Sequence, residues 1–226
     1  MSRQATLEKH PKKRAVLEKD KLSKRDSIIQ AAAFLLQKKE WAELSMDEVA
    51  RRSKIAKGTL YLYFPTKEDL CLRVHNEDYG AWFKDLEDFL KSNEAIELSA
   101  FSQWFVDSIE KHSRFIKLLP IVPTILEKNS SIETIRDFKS NLKTQIEKII
   151  PILNDRLHFN SFDRTFLFLM QCHAIAVGSW SHGFPSANVR KAFEENGLSL
   201  FLIDYKIFVR SSIEALVIGN LERPKI

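Results

Sequence analysis

The sequence predicts an all-α protein: an N-terminal head of three helices containing a helix-turn-helix, joined by one long helix to a larger helical body. Three observations predict it. Apolar residues recur at helical spacing, as in Ile132, Ile135, Phe138, Leu142, Ile146, Ile149, Ile150 and Leu153. Hydroxyl and Asn residues open the periodic stretches, and Pro or Gly closes several of them. Strand signals are weak throughout, and no internal repeat is visible. The expected division is a basic disordered arm over 1–22, a head over 23–67 and a body over 68–226.

In the arm, Pro11-Lys12-Lys13-Arg14 is a basic cluster with no apolar period, so disorder is expected at least to Val16. A first helix is expected from about Ser23 to Lys39, with Ile28, Ile29, Ala32, Leu35 and Leu36 on one face. Trp41 and Leu44 close the head core. Ser45 with Glu48 three residues on has capping-box spacing, which starts a helix at Met46. Ser53, Lys54 and Ile55 fit a turn. A second short helix runs from about Lys57 to Tyr63, with Leu60 and Phe64 inward, and Pro65 stops it. Two short helices joined by a few residues are the helix-turn-helix unit, whose second helix enters the DNA major groove. Its outer face, Lys57, Gly58, Thr59, Tyr61 and Tyr63, carries no acid. Tyr hydroxyls and Lys ammonium groups donate to phosphate oxygens, and Thr59 can address a base edge. A helical hairpin with a solvated basic face has the same pattern.

Thr66 with Asp69 marks the next helix start, and the long helix runs from Lys67 to about Lys91. Gly80 in its middle suggests a bend or a close contact. A helix is expected from Glu94 to about His112, a break near Pro120 and Pro123, and a restart at Asn129-Ser130-Ser131 with a kink at Pro151. Further helices are expected over Phe162–His182, Ser186–Glu195 and Leu198–Gly219, roughly nine or ten in all.

The order of residues at the second short helix resembles the TetR (tetracycline-repressor) family of bacterial regulators. Its signature is close to K-G-T-L-Y-Y-Y-F-x-S/T-K-E-x-L. Here it reads Lys57-Gly58-Thr59-Leu60-Tyr61-Leu62-Tyr63-Phe64-Pro65-Thr66-Lys67-Glu68-Asp69-Leu70. The match runs from near Arg25 to Leu70 without a gap. Glu40 and Lys54 stand where the family usually has Gly, and Ala56 stands where a capping Ser or Thr is common. The resemblance implies a repressor that binds double-stranded operator DNA as a homodimer and is released by a small-molecule effector. Carried onto this chain, the DNA-binding residues are Ser45, Lys54, Lys57, Gly58, Thr59, Tyr61, Tyr63 and Lys67. Two other readings stay open: a constitutive regulator or activator without ligand, and a helical enzyme or small-molecule binder with an incidental basic head.

Charge follows the division. Residues 1–67 hold 16 Lys and Arg against 8 acids, and the remainder holds 19 against 22, within a formal net charge of +5. A basic head on a mildly acidic body suits contact with a polyanion at one end. The six histidines and two cysteines show no metal-ligand spacing, and no phosphate loop or nucleophile elbow occurs, so no catalytic residue, metal or cofactor is expected. No N-terminal apolar leader and no run long enough to cross a bilayer are present, which reads as a cytoplasmic protein without a membrane partner. Body aromatics are mostly core. A pocket with few polar anchors is expected around Trp82, Phe101, Trp104, Phe105 and His173.

Overall fold

The computed structural model describes residues 9–92, 96–195 and 197–221, with side chains described from residue 18 onward. Among the described residues there is no strand and no helix long and apolar enough to cross a membrane.

Helix α1 spans Lys9–Lys38, so it starts well before Ser23. The expected disorder is therefore replaced by helix from Lys9 on, while residues 1–8 lie outside the described residues. The stretch is dense in Lys, Leu, Glu, Ala and Arg, all good helix formers. Its one proline, Pro11, falls in the first turn, where no intrahelical N–H bond is needed. Residues 18–24 are exposed, and the first buried side chains are Ile28 and Ile29. These pack with Ala32, Leu36, Leu44, Val49, Leu60 and Phe64 to make the head core.

Helices α2 (Met46–Arg52) and α3 (Lys57–Tyr63) form the expected hairpin. Ser45 Oγ accepts from Asp47 N at 3.2 Å, and the Glu48 carboxylate takes the Lys39 ammonium. Helix α4 (Lys67–Lys91) follows after Pro65 and continues unbroken through Gly80, where a Cβ would meet open space. Gly80 therefore marks no close contact.

Helix α5 covers Leu98–Lys111, and the expected start at Glu94 lies outside the described residues. Helix α6 (Ser113–Leu118) runs into a 3₁₀ turn, Leu119–Ile121, and a π turn, Val122–Leu126, before the short α7, Glu127–Asn129. Pro120 and Pro123 thus change the winding of the path without ending it, because each removes a donor near the start of its turn. Helix α8 (Ile132–Leu157) starts at the Ser131 cap, runs through Pro151 and packs along α4. Helices α9 (Phe162–Gly183), α10 (Ala187–Glu195) and α11 (Tyr205–Leu221) complete the body. The last helix starts at Tyr205 rather than Leu198, because Asp204 Oδ1 accepts from Ile207 N at 3.0 Å and fixes the start there. Cys71 and Cys172 are both buried free thiols.

Asp69 joins head to body. Its side chain is buried and receives the Ser131 N–H at 2.9 Å and the Thr66 hydroxyl at 3.0 Å. One carboxylate thereby serves the starts of α4 and α8. Burial pushes its pKa up, but bonds from Ser131, Thr134 and Thr66 outweigh that and hold it below the usual aspartate value. Asp69→Asn is expected to cost about 1–2 kcal/mol in urea unfolding at neutral pH. A depressed carboxylate stabilises above its unfolded pKa and loses that effect as pH falls through the folded one. The deficit of the variant should therefore shrink below about pH 3.9. A deficit independent of pH would exclude this role.

Candidate nucleic-acid interface and body cavity

The surface built by α2 and α3 is open. Lys54 takes the left-handed turn conformation (φ 57°), and Ile55 N bonds to Ala50 O at 3.1 Å to close the turn. A residue with Cβ in that conformation costs about 1 kcal/mol. Ala56 provides no side-chain cap to α3. Lys57, Gly58 and Tyr61 are exposed on one face, and a Cβ at Gly58 would meet nothing within 4 Å. Backbone approach to a duplex is unobstructed there. Thr59 is half-buried at the edge of that face. Leu62, 84% exposed, stands one turn after Gly58 and was not singled out from the sequence. Its spacing from Gly58 was the available signal.

Three expected contacts differ in setting. Tyr63 is half-buried against the core rather than fully outward, since it shares a helical side with Leu60 and Phe64. Lys67 folds back, donating to Trp41 O at 3.3 Å with its Nζ 4.1 Å from the Trp41 ring centroid. Lys57 is held by Asp47 of α2 at 2.7 Å, so an acid does border the outer face. That hydrogen bond raises the Lys57 pKa. Ser45 is exposed and spends its hydroxyl on the α2 cap.

The body holds a cavity of about 180 Å³. Helix α4 supplies Tyr79, Trp82 and Phe83; α5 supplies Phe105 and Ile109; α6 supplies Phe115 and Ile116. Leu119, Val122, Pro123 and Glu127 come from the turns beyond α6, and Phe138, Lys139, Leu142 and Ile146 from α8. Leu169, Met170, His173 and Ala176 of α9 close it. Of the expected residues, Trp82, Phe105 and His173 line it. Phe101 and Trp104 do not. Phe101 lies one turn earlier on α5, about 6 Å along the axis, packed against Phe168. Trp104 stacks on Phe89 at 5.0 Å. Tyr79, Phe83, Phe115, Phe138, Glu127 and Lys139 were not anticipated. Tyr79 was readable from its spacing, three residues before Trp82 and four before Phe83. The Glu127–Lys139 ion pair, 2.5 Å, exists only through tertiary structure.

Polar groups around the cavity are few. Burial lowers the His173 pKa, and nearby Lys139 lowers it further, so the imidazole is neutral at pH 7. Behind the wall, His75 is fully buried, stacked on Phe115 at 5.4 Å and edge-on to Tyr79. Burial, with His173 and Arg114 adding to it, pushes its pKa down to about 3. Among the described residues no cluster could hold a metal ion.

Arg114, adjacent to Phe115 of the cavity wall, reaches the head. Its Nη2 and Nε donate to Asp78 of α4 at 2.6 and 2.9 Å, and its Nη1 donates to Ala33 O and Gln37 of α1 at 3.0 and 3.2 Å. Lys117 of α6 pairs with Glu40 at 3.2 Å.

A helix-turn-helix head coupled to a cavity-bearing helical body is the build of a ligand-responsive DNA-binding regulator. Residues 28–74 match the family model for bacterial regulatory proteins of the tetR family, and residues 76–224 match that of the tetracyclin repressor-like C-terminal domain. The chain belongs to the TetR family, a family of transcriptional regulators rather than enzymes. It is 32% identical over 103 residues to the uncharacterized regulator YuxN of Bacillus subtilis, covering 45% of this chain and 34% of YuxN. It is 30% identical over 73 residues to the fatty acid metabolism regulator protein of the same organism, covering 32% of this chain and 38% of that protein. The alignments thus span about a third of these relatives' length. The FadR structure from Bacillus halodurans superposes with TM-score 0.53 at 17% identity, over 89% of this chain and 97% of that one. A putative TetR-family regulator from Mesorhizobium loti gives 0.56 at 15% identity, over 88% and 96%. At such identities the likeness is one of fold.

Asp47→Asn removes a carboxylate beside the outer face and frees Lys57. Non-specific duplex binding at low salt is expected to tighten about fivefold, since Lys57 can then displace a counterion fully. Fluorescence anisotropy with a labelled random duplex measures this; unchanged or weaker binding would place this face off the DNA.

Proposed function

We propose that this protein is a repressor that binds operator DNA as a homodimer through residues 23–67 and releases it when a small apolar or aromatic compound enters the cavity of the 68–226 body. The observation that carries this reading is the Arg114 clamp. Residues 115 and 116 form cavity wall, while residue 114 grips α4 and α1 together. A ligand that pushes Phe115 moves the guanidinium and so changes the angle at which the head meets the body. Helix α4 adds a second route, because Tyr79, Trp82 and Phe83 face the cavity and its first turn follows α3 directly.

On the DNA, Gly58, Thr59 and Tyr61 face bases and the nearest phosphates. Lys57 and Lys54 supply positive charge at the start of α3, and Ser45 orients the start of α2. Lys67 contacts phosphate once it leaves Trp41, and Tyr63 meets the duplex only with its outer edge. Two heads on one dimer address half-sites about 35 Å apart. A small tilt of each head misaligns both, and the coupling needed is about 1–3 kcal/mol.

The dimer reading rests on the outer faces of α9 and α11. Phe162, Phe166, Leu167 and Met170 on the first are exposed, as are Ile207, Phe208, Ile218 and Leu221 on the second. Such a concentration of exposed apolar side chains is expected to be covered. Met170 also lines the cavity, which brings the interface next to the ligand.

A cavity near 180 Å³ is close to the roughly 150 Å³ that holds one benzene ring. The Bacillus subtilis FadR structure contains stearoyl-CoA.

Three outcomes test the reading. Thr59→Ala should change sequence preference among DNA fragments selected from the native genome, with little loss of non-specific affinity. Ile218→Glu, on the outside of α11, should give a folded monomer by light scattering and lose operator binding. Ile213, on the inner side of the same helix, is fully buried, so a charge there would unfold the body instead of testing the interface. Ile146→Trp should fill the cavity and abolish release by any effector while leaving operator affinity within about twofold. A monomeric wild type at micromolar concentration would overturn the dimer.

A further inference from the structure

One corner of the cavity already holds an ammonium group. Lys139 Nζ lies 2.5 Å from Glu127 Oε1 and 5.2 Å from the centroid of the Phe138 ring. Glu127, Lys139 and Phe138 all line the cavity. A carboxylate and an aromatic face are the two groups that together recognise an organic cation.

The two members of the pair are not equivalent. The Lys139 side chain is 53% exposed and that of Glu127 only 21%. Lys139 can leave for water on its long flexible stem at little cost. Glu127 is far less solvated, and leaving it without a positive partner carries a desolvation penalty. An anionic ligand would have to take Lys139 and strand Glu127. A cationic ligand takes Glu127 and releases Lys139 to solvent. Exchange at this corner therefore favours positive charge. Beyond it, Tyr79, Trp82, Phe83, Phe105 and Phe115 present an aromatic lining that suits a ring or a cation equally.

We propose that the cavity selects a compact organic monocation, one ring or short chain bearing a single ammonium, with Glu127 as its counter-ion and Lys139 as the resident cation it displaces. This rests on the reading of the cavity as the effector site. The displacement has a mechanical result. The Glu127–Lys139 pair braces the corner between α7 and α8, so a ligand that replaces Lys139 removes one brace between α8 and the segment leading back to α6 and Arg114.

The test is calorimetric titration of the full-length protein with benzylammonium, ethylbenzene and phenylacetate. The first two differ only by an ammonium in place of a methyl group, and the third carries the opposite charge. Benzylammonium is expected to bind at least about tenfold tighter than either of the others. Glu127→Gln should remove that preference and leave ethylbenzene binding unchanged. Lys139→Met, which keeps the apolar stem and deletes the competitor, should tighten benzylammonium about tenfold. If Glu127→Gln fails to fold, Lys139→Met decides alone, and weaker benzylammonium binding in that variant overturns the proposal. Equal or tighter binding of ethylbenzene or phenylacetate overturns the cation while the cavity stands as a ligand site. No binding of any probe overturns both.

Discussion

The Arg114 guanidinium bridges the head and the body. Arg114 spends its donors on Asp78 of α4, the Ala33 carbonyl of α1 and the Gln37 side chain. Arginine suits this position because its planar fork binds a carboxylate with two bonds and still has donors on the opposite edge. Lysine would offer a point charge with no fixed direction. The clamp sits where α1, α4 and α6 meet. Asp69 performs a related service in the first turn of α4, by serving the starts of two helices. Helix α4 runs on past both contacts, and Tyr79, Trp82 and Phe83 face the cavity from just beyond Asp78.

The head was legible in the sequence because its signals are local. Ser45 and Thr66 each cap the helix that follows, and Pro65 separates α3 from α4. These effects act within a few residues and need no knowledge of the rest of the fold. The family signature added the role of α3. Side-chain direction was less legible. Tyr63 and Lys67 have suitable chemistry for DNA, yet the first leans on the core and the second folds over Trp41, and both choices depend on neighbours distant in sequence. The arm failed for a different reason. An exposed helix needs no apolar stripe, so the lack of period before Ser23 said nothing against helix, and propensity decided.

The cavity was half legible. Periodicity gives the face of a helix but not the depth along its axis that meets a neighbour. Phe101 and Phe105 share a face, and only the second reaches the space. The 3₁₀ and π turns around Pro120 and Pro123 alter the register of everything between α6 and α8. No fixed spacing in the sequence could bring Glu127 to Lys139.

The two cysteines have a consequence of another kind. Cys71 and Cys172 are both fully enclosed; burial pushes the first up to about 12 and the second higher still. The thiolate is the form that oxidants and alkylating agents attack, and here it is absent at any physiological pH. In the folded protein both thiols are therefore silent towards peroxide and disulfide exchange. The same silence makes the thiols a clock. Cys71 lies on α4 near the head and Cys172 on α9 in the body, so the order in which a thiol reagent marks them reports which part of the molecule opens first.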